Sequence, residues 1–319
     1  MQTIPFIDSG FIKDHTDYKT LINRIRKGFA SSTVEVPQRH HHNYANPPEN
    51  EDSTLLIMPA WDPGKDLGVK IVTVSPENGK YNLPSIQGTY IYFDAHKGIP
   101  KAILEAKALT AKRTAATSAL AASYLAKEDA SAMLMIGTGA LSAELIRAHS
   151  SVRPIKKVYV WGRNRLKAEA VCEQLKDLKF EIQPVTDLDE TIGKVDIISA
   201  ATLSKTPLIY GKFLKKGQHI DLVGSFKKDM READDETIKR SQIFIDTYGG
   251  MEESGDLFIP LQNGSLKRTE IRATLPELCS NKKYGRNSKD EITLFKSVGH
   301  ALEDLIAAKY YFDQFTKNR

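Results

Sequence analysis

Ala132-Met133-Leu134-Met135-Ile136-Gly137-Thr138-Gly139-Ala140-Leu141-Ser142, followed by Lys157-Val158-Tyr159-Val160-Trp161-Gly162-Arg163-Asn164-Arg165, is the signature of a nucleotide-binding sheet. Five apolar residues running into a glycine turn suit a buried parallel strand. The next segment, residues 143–148, continues as a helix whose first N–H groups can face a pyrophosphate. Gly137 permits the tight turn, and Gly139 lets the backbone approach the phosphates; Ser142 stands where a third glycine usually falls and is small enough to keep helix and strand close. Thr138, Ala140 and Leu141 complete the turn.

The second strand ends where a free ribose would call for Asp or Glu, roughly 20 residues past the glycines. Gly162, Arg163, Asn164 and Arg165 occupy that region instead. A carboxylate there would repel a 2′-phosphate, whereas two guanidinium groups can pair with it bidentately. The segment therefore reads as a site for NADP(H), with NAD(H) as the alternative cofactor. The plainer account of Arg163 and Arg165 is a solvated turn between strand and helix.

A chain of 319 residues has room for two domains, and its 41% hydrophobic and 27% charged content is that of a globular protein. The net charge of +5 is mild and scattered, which argues against nucleic acid as a partner while suiting anionic small molecules. Cys172 and Cys279 stand in different expected elements, so a disulfide framework is not expected and a reducing compartment is. With neither a leader-like N-terminus nor an apolar run of roughly 20 residues, the chain reads as cytoplasmic, with no membrane partner.

The first hundred residues alternate β-like runs, at 54–59, 67–74 and 88–94, with turn signals such as Asp62-Pro63-Gly64 and Pro76-Glu77-Asn78-Gly79. They read as an antiparallel sheet flanked by a helix around 18–28. From Leu104 to Lys127 an Ala-rich run without Gly or Pro predicts a long helix. Thereafter strands at 132–136, 158–161, 195–199, 218–223 and 243–246 alternate with helices, which implies a doubly wound parallel sheet. A last helix, 297–312, carries Val298, Leu302, Leu305, Ile306 and Tyr310 at near-helical spacing and is expected to pack back on the first domain. The expected architecture is α/β: a Rossmann domain over 115–299 that binds NADP, and a smaller α+β substrate-binding and dimerisation domain over 1–114, completed by 300–319.

Four segments, in this order, resemble one family: Lys112-Arg113-Thr114-Ala115-Ala116-Thr117-Ser118-Ala119-Leu120-Ala121; the glycine turn; Val223-Gly224-Ser225-Phe226 with Asp229-Met230-Arg231-Glu232; and Leu294-Phe295-Lys296-Ser297-Val298-Gly299. The family is that of ornithine cyclodeaminase and mu-crystallin. The resemblance implies a homodimer and hydride transfer at the α-carbon of an amino or imino acid. Its cyclodeaminases carry a Glu just ahead of the Met that corresponds to Met58, where this chain has Ile57, and an Asp two residues after the glycine of Gly224, where it has Phe226. Cyclising ornithine needs positioned acids and bases. Their replacement leaves the task of the family's ketimine reductases, which reduce 1-pyrroline-2-carboxylate to L-proline and the six-membered 1-piperideine-2-carboxylate to L-pipecolate. The pathways implied are proline metabolism and hydroxyproline degradation. The competing functions are an ornithine cyclodeaminase, an NAD(P)-dependent amino acid dehydrogenase, and a non-enzymatic small-ligand binder like mu-crystallin.

By that resemblance Arg113 and Lys70 hold the carboxylate of a cyclic imino acid, with Arg39 as a third anchor. Lys70 is the candidate proton donor to the ring nitrogen, and a substrate arriving already protonated is the alternative. Met58 and Phe226 would wall the ring and Thr89 would hydrogen-bond the substrate. Ala200, Thr202 and Ser297-Val298-Gly299 complete the expected cofactor contacts. His40-His41-His42 invites a metal, since alternate residues of an extended chain share a face, but the neighbouring sequence supplies no third ligand cluster, and no metal is expected.

Overall fold

The computed structural model describes residues 3–318, and the chain divides into two compact units, one made of residues 1–113 and 300–319 and the other of 114–299. The first unit begins with β1 (Phe6–Ile7), α1 (Ser9–Asp14), α2 (Tyr18–Ala30), β2 (His40–Tyr44), β3 (Ser53–Asp62), β4 (Asp66–Val74), β5 (Ile86–Asp94) and β6 (Ile99–Glu105). Its six-stranded sheet runs β1-β6-β5-β4-β3-β2, antiparallel except for the short β1–β6 pair. The chain then enters α3 (Ala106–Leu125). That helix starts later than its composition predicts, because Leu104 and Glu105 still belong to β6 and the Glu105 carboxylate accepts the first free N–H groups, from Lys107 at 3.0 Å and Ala108 at 2.7 Å.

The second unit contains β7 (Ala132–Ile136), α4 (Ser142–Val152), β8 (Lys157–Trp161), α5 (Arg165–Gln174), β9 (Glu181–Val185), α6 (Leu188–Ile192), β10 (Ile197–Ala200), β11 (His219–Leu222), α7 (Asp235–Arg240), β12 (Ser241–Ile245), α8 (Gly255–Asn263), β13 (Ile271–Thr274), α9 (Leu275–Cys279) and β14 (Ile292–Lys296). All eight strands are parallel, in the order β13-β12-β14-β11-β10-β7-β8-β9. This is the expected doubly wound Rossmann sheet. Strands β7 to β9 are laid down in one direction and β10 starts on the other side of β7, so the ends of β7 and β10 flank the point where ligands bind in such sheets.

The closing helix α10 (Ala301–Lys317) belongs to the first unit. It starts after Gly299, not at Ser297: Gly299 has φ +84°, outside the helical region, and residues 297–299 are fastened elsewhere, as described below. Helix α10 packs on α2 at Gly28, where an added Cβ would come within 2.9 Å of Ile306 Cγ1. It also covers one face of the sheet, carrying Met58, Ala60, Gly68, Lys70, Val72, Tyr90, Tyr92, Ala102 and Leu104, all buried. Among the described residues no helix is long and apolar enough to cross a membrane.

Candidate active site

In the second unit, a cavity of about 630 Å³ opens at the ends of β7, β8 and β10. Gly137, Thr138, Gly139, Arg163, Asn164 and Thr202 line it, so six of the expected cofactor residues converge there. Gly137 is obligatory: its φ is +118° and a Cβ would meet Ala201 O at 2.6 Å. Above Gly139, by contrast, nothing lies within 4 Å of an added Cβ. Its missing side chain serves no internal packing and leaves an open approach to backbone N–H groups, which is what a pyrophosphate needs. Ser142 is more than a substitute glycine, for its buried hydroxyl donates to Gly137 O at 2.9 Å and ties the helix start to the turn.

The cavity is basic at the end of β8. Arg163 lines it, and so does Lys167, which lies one helical turn beyond the Arg163–Arg165 segment and is not marked by that pattern. Arg165 turns aside to pair with Glu169 at 2.9 Å on the exposed face of α5 and does not line the cavity. Asn164 caps α5 by accepting Lys167 N at 3.3 Å. Gly162 faces Thr138, whose Cγ2 would lie 2.6 Å from an added Cβ, so any side chain at that strand end would push on the glycine turn. Ala140, Leu141 and Ala200 do not line the cavity; Ala200 is wholly buried, and the lining residue is its neighbour Ala201.

Residues 297–299 form a separate loop at the end of β14. The Asp246 carboxylate organises it, accepting from Val298 N at 2.7 Å, Gly299 N at 2.9 Å and Ser297 Oγ at 3.1 Å. A second buried acid, Glu232, clamps two strand-end loops. It accepts Thr202 N at 2.7 Å, Thr202 Oγ1 at 2.8 Å and Gly224 N at 2.8 Å. Burial, with nearby Asp256, pushes its pKa up to about 7. In the sequence Glu232 reads as part of a family-like segment and Asp246 as the end of a strand, and neither pattern shows that its carboxylate holds a loop. Phe226 lies beyond this clamp, exposed at 38%.

In the first unit, Lys70 and Arg113 do come together, and they do not come alone. Lys70 Nζ lies 2.7 Å from Asp304 Oδ2, Arg113 Nε 2.9 Å from Asp304 Oδ1, and Arg113 Nη1 2.6 Å from Glu303 Oε2. All four side chains are nearly inaccessible, the largest exposure being 6%. Burial lowers the Lys70 pKa to about 8, with Asp304 opposing the fall. For Arg113 the two carboxylates outweigh burial and its pKa rises. Burial works against the Asp304 carboxylate too, yet Arg113 and Lys70 hold its pKa below the ordinary value. Tyr90 pairs in register with Lys70, and its ring lies across Gly68, where a Cβ would meet the hydroxyl at 2.0 Å. The Tyr90 hydroxyl is buried without a hydrogen-bond partner among the described residues.

Met58 stands opposite Lys70 in register, on the same face. Thr89 is on the other face, aligned with Ile71, and donates to Leu104 O at 3.3 Å, so the structure does not bring it to Lys70. Arg39 is half-buried, one residue ahead of β2. His40 and His42 share a face of β2 with ring centroids 6.1 Å apart. Among the described residues no group of three or more His, Cys, Asp or Glu is placed to hold a metal ion.

The sequence pattern of the ornithine cyclodeaminase/mu-crystallin family matches residues 9–319. The chain belongs to that family. Within it, an uncharacterized protein of Schizosaccharomyces pombe is 43% identical over 309 residues, covering 93% of each chain. A Delta(1)-pyrroline-2-carboxylate reductase of Paracoccus denitrificans is 33% identical over 310 residues, covering 96% of this chain and 95% of the relative. The Thermococcus litoralis Delta(1)-pyrroline-2-carboxylate reductase, solved in complex with NADH and L-proline, is similar at TM-score 0.92 and 33% identity, covering 99% of this chain and 98% of that one.

Proposed function

We propose that the protein is an NAD(P)H-dependent oxidoreductase that reduces 1-pyrroline-2-carboxylate to L-proline, and its six-membered homologue to L-pipecolate. The observation that carries the reading is the buried Lys70–Arg113 pair in a chain whose Gly224 turn bears Phe226 in place of a carboxylate. Those two cations can bind a carboxylate and deliver a proton, and the Phe226 side chain offers no base to activate an amine or water. The ketimine reductases among its relatives support the same choice over cyclodeaminase or dehydrogenase chemistry.

When bound, the nicotinamide supplies the hydride that forms the new C2–H bond. As the C=N electron pair moves to the ring nitrogen, Lys70 Nζ gives that nitrogen a proton and regains one from water. Arg113 has five N–H donors and spends Nε and Nη1 on Asp304 and Glu303, so donors remain for the substrate carboxylate. Met58, beside Lys70 in register, supplies apolar wall. The preference for NADPH rests on two cations, Arg163 just past the strand end where a carboxylate would select NADH and Lys167 in the first turn of α5. NADH in the Thermococcus litoralis relative marks the competing choice.

The functional unit is proposed to be a homodimer built on the first unit's sheet. An antiparallel sheet with one wet face alternates apolar and polar residues. Here the face opposite α10 carries Ile57 beside Ile71, Pro59 beside Val69, Ile91 and Ile103, and Trp61 beside Leu67 and Phe93, all half-buried. Such a patch suits burial against a second copy.

Following absorbance at 340 nm in a mixture of protein, NADPH and 1-pyrroline-2-carboxylate tests the reading. Oxidation of NADPH is expected. Inertness towards the imine, with reduction of NAD(P) by alanine or ornithine, would replace it.

A further inference from the structure

The acids paired with Lys70 and Arg113 come from the first turn of α10, and they are not equivalent. Glu303 pairs with Arg113, whereas Asp304 gives one oxygen to each cation, Oδ2 at 2.7 Å from Lys70 Nζ and Oδ1 at 2.9 Å from Arg113 Nε. Asp304 is wholly buried, so neither bond competes with water. An ammonium in a dry sheet face, between Met58 and Tyr90 and close to a second cation, tends to shed its proton unless a negative charge faces it. The groups facing Lys70 are Asp304 and Glu303 from α10, Arg113 from α3, and from β5 the Tyr90 hydroxyl, which burial and Asp304 keep protonated. Of these, Asp304 is the largest favourable charge and Arg113 the opposing one.

We infer that Asp304 is the positioning residue of this site, acting through Lys70 and Arg113 rather than on the substrate: it keeps Lys70 an ammonium and fixes both cations as one unit. The inference rests on the ketimine-reductase reading, in which Lys70 is the proton donor. A donor must be protonated to act, so activity is lost as pH rises through the Lys70 pKa, near 8 in the parent. Without the Asp304 charge, burial and Arg113 act on Lys70 with only Glu303 to oppose them, and that loss begins at lower pH.

The test is the pH profile of kcat/KM for imine reduction in the parent, Asp304→Asn and Asp304→Glu, with circular dichroism and Tm recorded for each. The alkaline limb of Asp304→Asn is expected at least about one pH unit below the parent's. Asp304→Glu keeps the charge but moves it by one methylene, so its limb should match the parent's while KM for the imine rises several-fold. An alkaline limb unmoved in folded Asp304→Asn would overturn the inference and leave the reductase reading standing. If Asp304→Asn fails to fold, Asp304→Glu decides, and an unchanged KM refutes the positioning role. A parent protein that reduces no cyclic imine at any pH would overturn the functional reading, and the inference with it.

Discussion

Replacing Arg113 by Met removes one cation from a buried set of two cations and two carboxylates, leaving Lys70 to neutralise both Glu303 and Asp304. Breaking a buried ion pair from one side costs about 3–5 kcal/mol, most of it the penalty of the stranded charge. At ~2–4 °C per kcal/mol, Tm should fall by roughly 6–20 °C. Loss of the substrate anchor should separately cost about 2–4 kcal/mol in kcat/KM, or roughly 30- to 1,000-fold. The two effects are separated by Arg113→Met combined with Glu303→Leu, which restores a neutral cluster with apolar replacements and should recover much of the lost Tm. Differential scanning fluorimetry and the 340 nm assay, run on both variants well below their transitions, read the two quantities independently. If kcat/KM recovers together with Tm in the double variant, Arg113 holds the fold rather than the substrate, and the assignment is wrong.

Four other expectations follow from the geometry. Arg163→Asp and Lys167→Ala should each raise KM for NADPH about tenfold or more with little change for NADH, whereas Arg165→Ala, already paired with Glu169, should change neither; unaltered NADPH kinetics in the first two would move 2′-phosphate recognition elsewhere. Gly139→Ala should fold with a parental Tm yet bind NADPH poorly by fluorescence titration, and parental affinity would exclude Gly139 from the phosphate cradle. Gly224→Ala should lose about 3 kcal/mol or more, since its Cβ would lie 2.1 Å from Thr202 N and O; a parental Tm would contradict that packing. Val69→Glu with Ile91→Lys should convert a dimer to monomer in light scattering, and a persistent dimer would point to another face.

The nucleotide-binding half was legible because its code is local: apolar strand, glycine turn, helix, all within residues 132–152. Strand β14 lies centrally, between β11 and β12, yet is hard to see in the sequence because its run is short, holds Thr293 and ends on Lys296. That lysine is fully buried and pairs with Asp256 at 3.3 Å, a compensation no sequence window contains. Strand β9 is hard to see for another reason, being a half-exposed edge with Pro184 next to its last residue. In the first unit, the resemblance points to Lys70 and Arg113 but not to their partners. Glu303 and Asp304 lie between Leu302 and Leu305, and two acids inside an apolar stripe were the available signal. Thr89 was misjudged because the two-residue period of a strand sends it to the face opposite Lys70.

The pairing of Arg113 with Asp304 spans 191 positions of chain. At a synthesis rate of ~5–20 residues per second, a growing polypeptide would expose Lys70 and Arg113 about 10–40 s before their counter-ions leave the ribosome. The Rossmann unit is complete by then, since residues 114–299 precede α10. The cluster of Lys70, Arg113, Glu303 and Asp304 is therefore the last part of the molecule that translation can assemble, and a chain ending before residue 303 would carry all eight Rossmann strands and two cations without these counter-ions.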